Sequence, residues 1–185
     1  DRLCNGPCEI QPVLLPTNFG EVVSVSVGAN HVCAVTGVGH VYCWGLNDNQ
    51  QTGIDSDAQA CSEHACVRRP TRVAGLSDVI DVAAGQAHTC AVTLQGSVWC
   101  WGNNAKGQLG MGVVGGERVG DSPDQAEPVR VGRLGSMVGL TAGAFSNCAR
   151  NVSGAIFCWG ANETGQLGTG HCSDAEPLPV EVELR

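Results

Sequence analysis

The sequence predicts an all-β chain of three four-stranded antiparallel β-propeller blades, forming part of a larger ring or of one completed by oligomerisation. Three observations predict it. A set of sequence blocks recurs three times at a nearly constant period. Each recurrence reads as four short strands separated by turn residues, the pattern of a propeller blade. No sustained 3.6-residue periodicity is present, which excludes a helical solenoid.

The first block is Gly28-Ala29-Asn30-His31-Val32-Cys33-Ala34-Val35-Thr36. It returns as Gly85-Gln86-Ala87-His88-Thr89-Cys90-Ala91-Val92-Thr93 and as Gly143-Ala144-Phe145-Ser146-Asn147-Cys148-Ala149-Arg150-Asn151, at spacings of 57 and 58 residues. The second block is Val41-Tyr42-Cys43-Trp44-Gly45, matched by Val98 to Gly102 and Ile156 to Gly160. The third is Asn47 to Gly53, matched by Asn104-Ala105-Lys106-Gly107-Gln108-Leu109-Gly110 and by Asn162 to Gly168. The repeats run over about 17–74, 75–132 and 133–185 of a single 1–185 segment. Residues 1–16 read as the end of a preceding blade, with Pro12 to Leu15 a remnant of its fourth strand.

Within each unit the strands follow in order. Val22 to Val27 alternates with period two, and Val79 to Ala83 does so more loosely. The first and second blocks give β-branched and aromatic strands bounded by glycine. A proline-led run closes each unit, at Pro70-Thr71-Arg72-Val73, Pro128 to Val131 and Pro179 to Val182. A proline at a strand start suits an outer edge, where its missing N–H is not needed.

The second and third strands can be set in register. If Thr36 faces His40 across Gly37-Val38-Gly39, Cys33 falls opposite Cys43; the same step places Cys90 opposite Cys100 and Cys148 opposite Cys158. Each loop then has three residues and ends in glycine, where such hairpins require a left-handed conformation. Directly opposed cysteines have Cα atoms ~4.5–5.5 Å apart, within reach of a disulfide. Three such bridges are expected, each contributing about 2–3 kcal/mol by chain entropy. Buried free thiols are the alternative; a zinc site is disfavoured because each blade supplies two thiolates where zinc takes four ligands. Cys4 with Cys8, and Cys61 with Cys66, read as loop-tightening disulfides. A competing arrangement is a metal site of Cys61, His64 and Cys66 completed by His171 or Cys172. Cys172 is otherwise the odd cysteine.

Composition limits the function classes. The chain is 43% hydrophobic and 15% charged, which is globular and not disordered. Its net charge of -8 and 10 scattered Lys and Arg oppose nucleic acid and anionic lipid. No apolar run reaches the ~20 residues of a membrane span. Eleven cysteines point to an oxidising compartment: secreted, cell-surface or periplasmic. The chain opens at Asp1 without a signal-peptide pattern and reads as a mature or excised segment of a secreted protein.

The run Gly-x-x-His-x-Cys-Ala-Val, then Val-Tyr/Trp-Cys-Trp-Gly, then Asn-x-x-Gly-Gln-Leu-Gly resembles the regulator-of-chromosome-condensation repeat, from about Pro12 to about Glu183. The resemblance implies a propeller, seven-bladed in its best-known form, whose face loops bind proteins. In the founding eukaryotic member that partner is a small GTPase and the activity is guanine nucleotide exchange. A plant ultraviolet photoreceptor and a secreted bacterial β-lactamase inhibitor share the repeat, so fold does not fix function. The paired strand cysteines depart from the nuclear branch, and Trp44, Trp99, Trp101 and Trp159 do not make the photoreceptor's tryptophan cluster. The first unit has Gln50-Gln51-Thr52-Gly53 in place of Gly-Gln-Leu-Gly, and the third has Ser146 in place of histidine.

No residue set reads as catalytic, and no cofactor is implied. His31 and His88 recur in one slot, as a structural hydrogen bond between strands would. Trp44, Trp101 and Trp159 recur as inter-blade packing, and Trp99 is a packing residue too. Asp48, Asp55 and Asp57 lie in an Asn/Asp-rich loop that lacks the glycine and terminal glutamate of an EF-hand, and read as solvated. Asn151-Val152-Ser153 and Asn162-Glu163-Thr164 match the N-glycosylation pattern. Unlike the blocks, the segments 54–69, 111–127 and 169–176 differ between units, and variable insertions on a repeated scaffold are where binding surfaces reside. Asp48, Asp55, Asp57, His64, Arg68, Arg118 and Asp121 are the candidate partner-binding residues. The expected role is a non-enzymatic recognition or assembly module with a protein partner, further blades of a longer chain, or self-association. Inhibition of a secreted enzyme is the alternative, with nucleotide exchange on a GTPase behind it.

Overall fold

The computed structural model describes residues 20–54, 59–61, 63–115 and 124–183. The described residues form thirteen strands and no helix, in three antiparallel sheets that follow one another along the chain. Blade 1 contains β1 (Val22–Val27), β2 (His31–Thr36), β3 (Val41–Leu46), β4 (Gln59–Cys61) and β5 (His64–Arg72), in the spatial order β1-β2-β3-β5-β4. Blade 2 is β6 (Val79–Ala84), β7 (His88–Thr93), β8 (Val98–Gly102) and β9 (Gln125–Arg130). Blade 3 is β10 (Met137–Ala142), β11 (Ser146–Asn151), β12 (Ile156–Asn162) and β13 (Ser173–Val182).

The hairpin register follows from the loop chemistry. Thr36 N–H donates to His40 O at 2.9 Å and Gly39, at φ 77°, turns the chain, with Gly96 at 75° and Gly154 at 90° in the same place. Thr36 and His40 are therefore a hydrogen-bonded pair, and three steps along, Cys33 and Cys43 form a non-hydrogen-bonded pair with side chains on one face. The structure joins Cys33 to Cys43, Cys90 to Cys100 and Cys148 to Cys158, each with Cα atoms 4.1 Å apart.

Two elements differ from the sequence expectation. The fourth strands begin at His64, Gln125 and Ser173, well before Pro70, Pro128 and Pro179. Proline is tolerated inside them because each is the outer strand there and needs no N–H on its free side. The ladder to the third strand also shifts register at the Trp-Gly step: Gly45, Gly102 and Gly160 sit at φ 109°, 96° and 103°. A Cβ on Gly45 would stand 2.5 Å from Asn30 O, so this bulge admits only glycine. Blade 1 also carries a fifth strand: β4 pairs antiparallel with the start of β5, and Cys61 is bonded to Cys66. A second bulge, at Val23, Ile80 and Val138, breaks the alternation of each first strand and leaves that residue exposed.

The core lies between blades. Each blade has a leading face toward the next unit and a trailing face toward the one before. The first cluster packs Val35, Val41 and the Cys33–Cys43 bridge of blade 1 against Val79, Val82 and Trp101 of blade 2. The second packs Val92, Val98 and the Cys90–Cys100 bridge against Met137, Ala149 and Trp159.

Candidate functional site

The recurrent polar residues meet in two inter-blade seams built alike. Thr89 Oγ1 donates to Gln51 O at 2.8 Å and so accepts from His31 Nε2, also at 2.8 Å. In the next seam Asn147 Nδ2 donates to Gln108 O at 2.9 Å while Asn147 Oδ1 accepts from His88 Nε2 at 2.9 Å. The acceptors fix both imidazoles with the proton on Nε2, leaving each Nδ1 buried with no partner. Gly28 and Gly85 lie against these rings; a Cβ on Gly85 would be 2.1 Å from His88 Cε1. Burial holds both histidines down at a pKa of about 4, with the His88 charge adding to the effect on His31. Sealed, neutral and hydrogen-bonded into the fold, they are structural groups. Indole donors complete the seams: Trp101 Nε1 to Gln51 O at 3.0 Å and Trp159 Nε1 to Gln108 O at 2.9 Å.

The carbonyls of Gln51 and Gln108 are presented by a loop that organises itself. Asn47 Oδ1 accepts from Thr52 N–H at 3.0 Å, Asn104 Oδ1 from Leu109 N–H at 3.0 Å and Asn162 Oδ1 from Leu167 N–H at 3.2 Å. The glutamine amide oxygens cap the preceding turn, accepting from the N–H groups of Asn49, Lys106 and Thr164. Sequence reading found these residues as a repeated block but not this role; the fixed five-residue Asn-to-Leu spacing was the available signal. The block also closes one glycosylation match: Asn162 is fully buried and its Nδ2 donates to Thr169, His171 O and Ser173. Asn151 lies at the β11–β12 hairpin, where its Oδ1 accepts from Ser153 and Ala155.

The departure in the first unit has an energetic consequence. Gln50 occupies φ 61°, where Gly107 and Gly165 both take 72°. A side chain in that region costs about 1–2 kcal/mol, partly offset by glycine's greater unfolded-state freedom. Gln50→Gly is expected to stabilise the chain by about 0.5–1 kcal/mol, read from the midpoint of denaturant unfolding.

Of the predicted loop residues, Asp48, His64 and Arg68 are described. Asp48 accepts from Ala65 N–H at 2.7 Å and pairs with His64, fastening the β4–β5 hairpin to the loop. In blade 2 the link runs the other way: Asp124, just before β9, accepts from Asn103 Nδ2 at 3.0 Å and Asn104 N–H at 3.2 Å in the loop. Arg68 lies exposed on β5. Asp55, Asp57, Arg118, Asp121, Cys4 and Cys8 lie outside the described residues. The metal arrangement loses its thiolates, because Cys61 and Cys66 are bonded to each other; Cys172 is an exposed free thiol. Among the described residues no group of three His, Cys, Asp or Glu is placed to hold a metal.

Three stacked blades with structural polar seams and unequal rim inserts define the class: a tandem-repeat propeller scaffold. The family model for the regulator of chromosome condensation (RCC1) repeat matches residues 38–92, 95–149 and 153–185, and a second model of that description matches 22–51 and 79–108. The chain belongs to the RCC1-repeat family. Protein pim1 of Schizosaccharomyces pombe is 29% identical over 178 residues, covering 92% of this chain and 33% of that protein. The probable E3 ubiquitin-protein ligase HERC3 of Homo sapiens is 31% identical over 161 residues, 85% of this chain and 14% of that one. The chain thus spans a third or less of these relatives. Among solved structures, human WBSCR16 superposes with a TM-score of 0.77 at 22% identity, covering 91% of this chain and 42% of that one. Prp20p from Saccharomyces cerevisiae does so with 0.72 at 24%, covering 89% and 39%. At these identities the structural likeness establishes the fold.

Proposed function

We propose that the chain is a non-enzymatic protein-recognition or assembly module working in an oxidising compartment: secreted, at the cell surface or periplasmic. The observation that carries this reading is the division of labour in the fold. The recurrent polar and aromatic residues are consumed by the seams, while the segments 54–69, 111–127 and 169–176 differ from blade to blade and, among their described residues, expose Glu63, Arg68, Arg69, Glu127 and Asp174. Family members engage proteins: the structure of Prp20p is described with its binding to Gsp1p and histones. Four disulfides among the described residues favour an oxidising location.

The test exchanges the 59–66 hairpin for the short turn of blade 3 and cross-links both chains in the secreted or periplasmic fraction of the native host. Partners held by the native chain and lost from the exchanged one support the reading. Equal capture by both would place recognition elsewhere, and recovery of the native chain from the cytoplasm with free thiols at Cys33, Cys90 and Cys148 would overturn the compartment.

A further inference from the structure

Every blade holds bare aliphatic side chains at the same end, where neither seam uses them. We propose that this end is a lipid-docking surface, on which Val38, Leu94 and Val152 enter the interface of a zwitterionic bilayer. The inference goes beyond the recognition reading and stands independently of it, since it concerns the end of the blades opposite the inserts.

The register fixes which end this is. Each blade turns at a three-residue hairpin, between β2 and β3, β7 and β8, or β11 and β12, while its loops and inserts lie at the other end of the same strands. Bonds across the seams hold the hairpins level: Val79 N–H donates to Gly39 O and Met137 N–H to Gly96 O, both at 3.1 Å. The tips therefore share one surface. Val38 is 69% exposed, Leu94 71% and Val152 70%. Blade 2 has a blade on either side, and its Leu94 is as bare as the other two, so the exposure belongs to the hairpins and not to an uncovered blade face. A second aliphatic stands beside each tip. The bulge in each first strand turns Val23, Ile80 and Val138 outward, as bulges re-aim side chains. Each tip is tied two residues before its bulge: Gly37 N–H donates to Glu21 O at 2.9 Å, Leu94 N–H to Asp78 O at 2.8 Å and Val152 N–H to Ser136 O at 3.2 Å. A Cβ on Gly37 would stand 3.7 Å from Val23 Cγ1. A pair of exposed aliphatics repeated in every blade on one surface marks an interaction site.

The make-up and charge of this surface commit the occupant. The tips stand apart, each on its own hairpin, and the rest of each tip is small or uncharged: Gly37 and Gly39, Gln95 and Gly96, Ser153 and Gly154. The aromatic residues that anchor the centres of protein interfaces are absent from all three tips. Separate aliphatic points suit a bilayer interface, which yields around each of them and rewards buried apolar area without a matching shape. Charge then selects the lipid. Around the tips Arg72, Arg130 and Arg133 stand against Glu21, Asp78, Glu181 and Glu183, close to balance in a chain whose net charge is -8. A nearly neutral surface meets no repulsion from zwitterionic headgroups, whereas the field of the whole acidic chain opposes an anionic leaflet.

The experiment pellets the oxidised protein with sucrose-loaded vesicles of pure phosphatidylcholine, and with vesicles doped with phosphatidylglycerol. The expected result is binding to phosphatidylcholine that Val38→Ser/Leu94→Ser/Val152→Ser lowers about tenfold or more. Val113→Ser/Val114→Ser, at exposed aliphatics of the insert end, should leave it within about twofold. Phosphatidylglycerol should weaken binding of the native protein at low salt. In Leu94→Trp, lipids brominated along the acyl chain should quench emission that they leave untouched in the native protein. All these positions are exposed, so the midpoint of urea unfolding should not move. No pelleting with phosphatidylcholine overturns the proposal, as does equal pelleting of the tip variant or binding confined to anionic vesicles. A protein captured through the native tips, with no lipid bound, overturns it too. Exchange of 59–66, the readout for the recognition reading, acts at the other end of the blades, so either reading can fail without the other.

Discussion

Trp101→Ala is expected to destabilise the chain by about 4 kcal/mol, among the largest effects of any single truncation. The indole is fully buried between blades 1 and 2, in one cluster with Val35, Val41 and the Cys33–Cys43 bridge, and its N–H satisfies the Gln51 carbonyl at 3.0 Å. Truncation removes the area of the ring, leaves a cavity where two sheets meet and cannot be repaired by a shift of either sheet, since the flanking backbone bonds fix both. Trp44 occupies the same slot on the trailing face of blade 1, where it is only partly buried. Trp44→Ala should cost less than half as much. Paired urea titrations of the two variants check this; equal losses would show that the slot, and not the seam, sets the energy.

The second large effect is acid destabilisation centred on His31 and His88. Both hold a folded-state pKa of about 4, against an ordinary value of 6.5. In the folded chain the neutral form is favoured, so the unfolded chain takes up protons first as pH falls. Stability is whole above about pH 6.5, declines through the window from 6.5 to 4, and has lost the full contribution once both folded groups are protonated. At 1.36 kcal/mol per pKa unit each histidine accounts for about 3 kcal/mol. Unfolding free energies at pH 7, 6 and 5 should fall steeply, at up to about 2.7 kcal/mol per unit with both groups titrating. In His31→Gln/His88→Gln, whose amides can still donate to Thr89 and Asn147, the slope across that window should flatten. A native slope that survives in the double variant would assign the titration to other groups.

Much of the fold was legible because it is written three times. The block spacing gave the blades, and the glycine-closed hairpins gave the register that sets Cys33 against Cys43. The slots of His31, His88 and the tryptophans were read as structural from recurrence alone. What escaped depends on contacts outside the repeat. The β4 strand exists because Gln59–Cys61 pairs back on His64–Cys66, in a segment whose sequence the other units do not share. The early starts of β5, β9 and β13 escaped because proline punctuates a sequence more strongly than it does an outer strand. That Asn47, Asn104 and Asn162 hold up the glutamine carbonyls was invisible because each acts through side-chain bonds to backbone groups, which leave no periodicity.

The disulfides lie inside single sheets and none of the three recurrent ones crosses a seam. Covalent reinforcement therefore protects each blade from unravelling and does nothing to keep blades together. A chain pulled from its ends would shed sheets one after another at the seams. The residues between each cysteine pair would stay hidden from the force, shortening the released length by roughly 30 Å per blade. Oxidation thus sets how far the molecule can be drawn out, whereas the uncharged imidazoles between its sheets set how easily it begins to part.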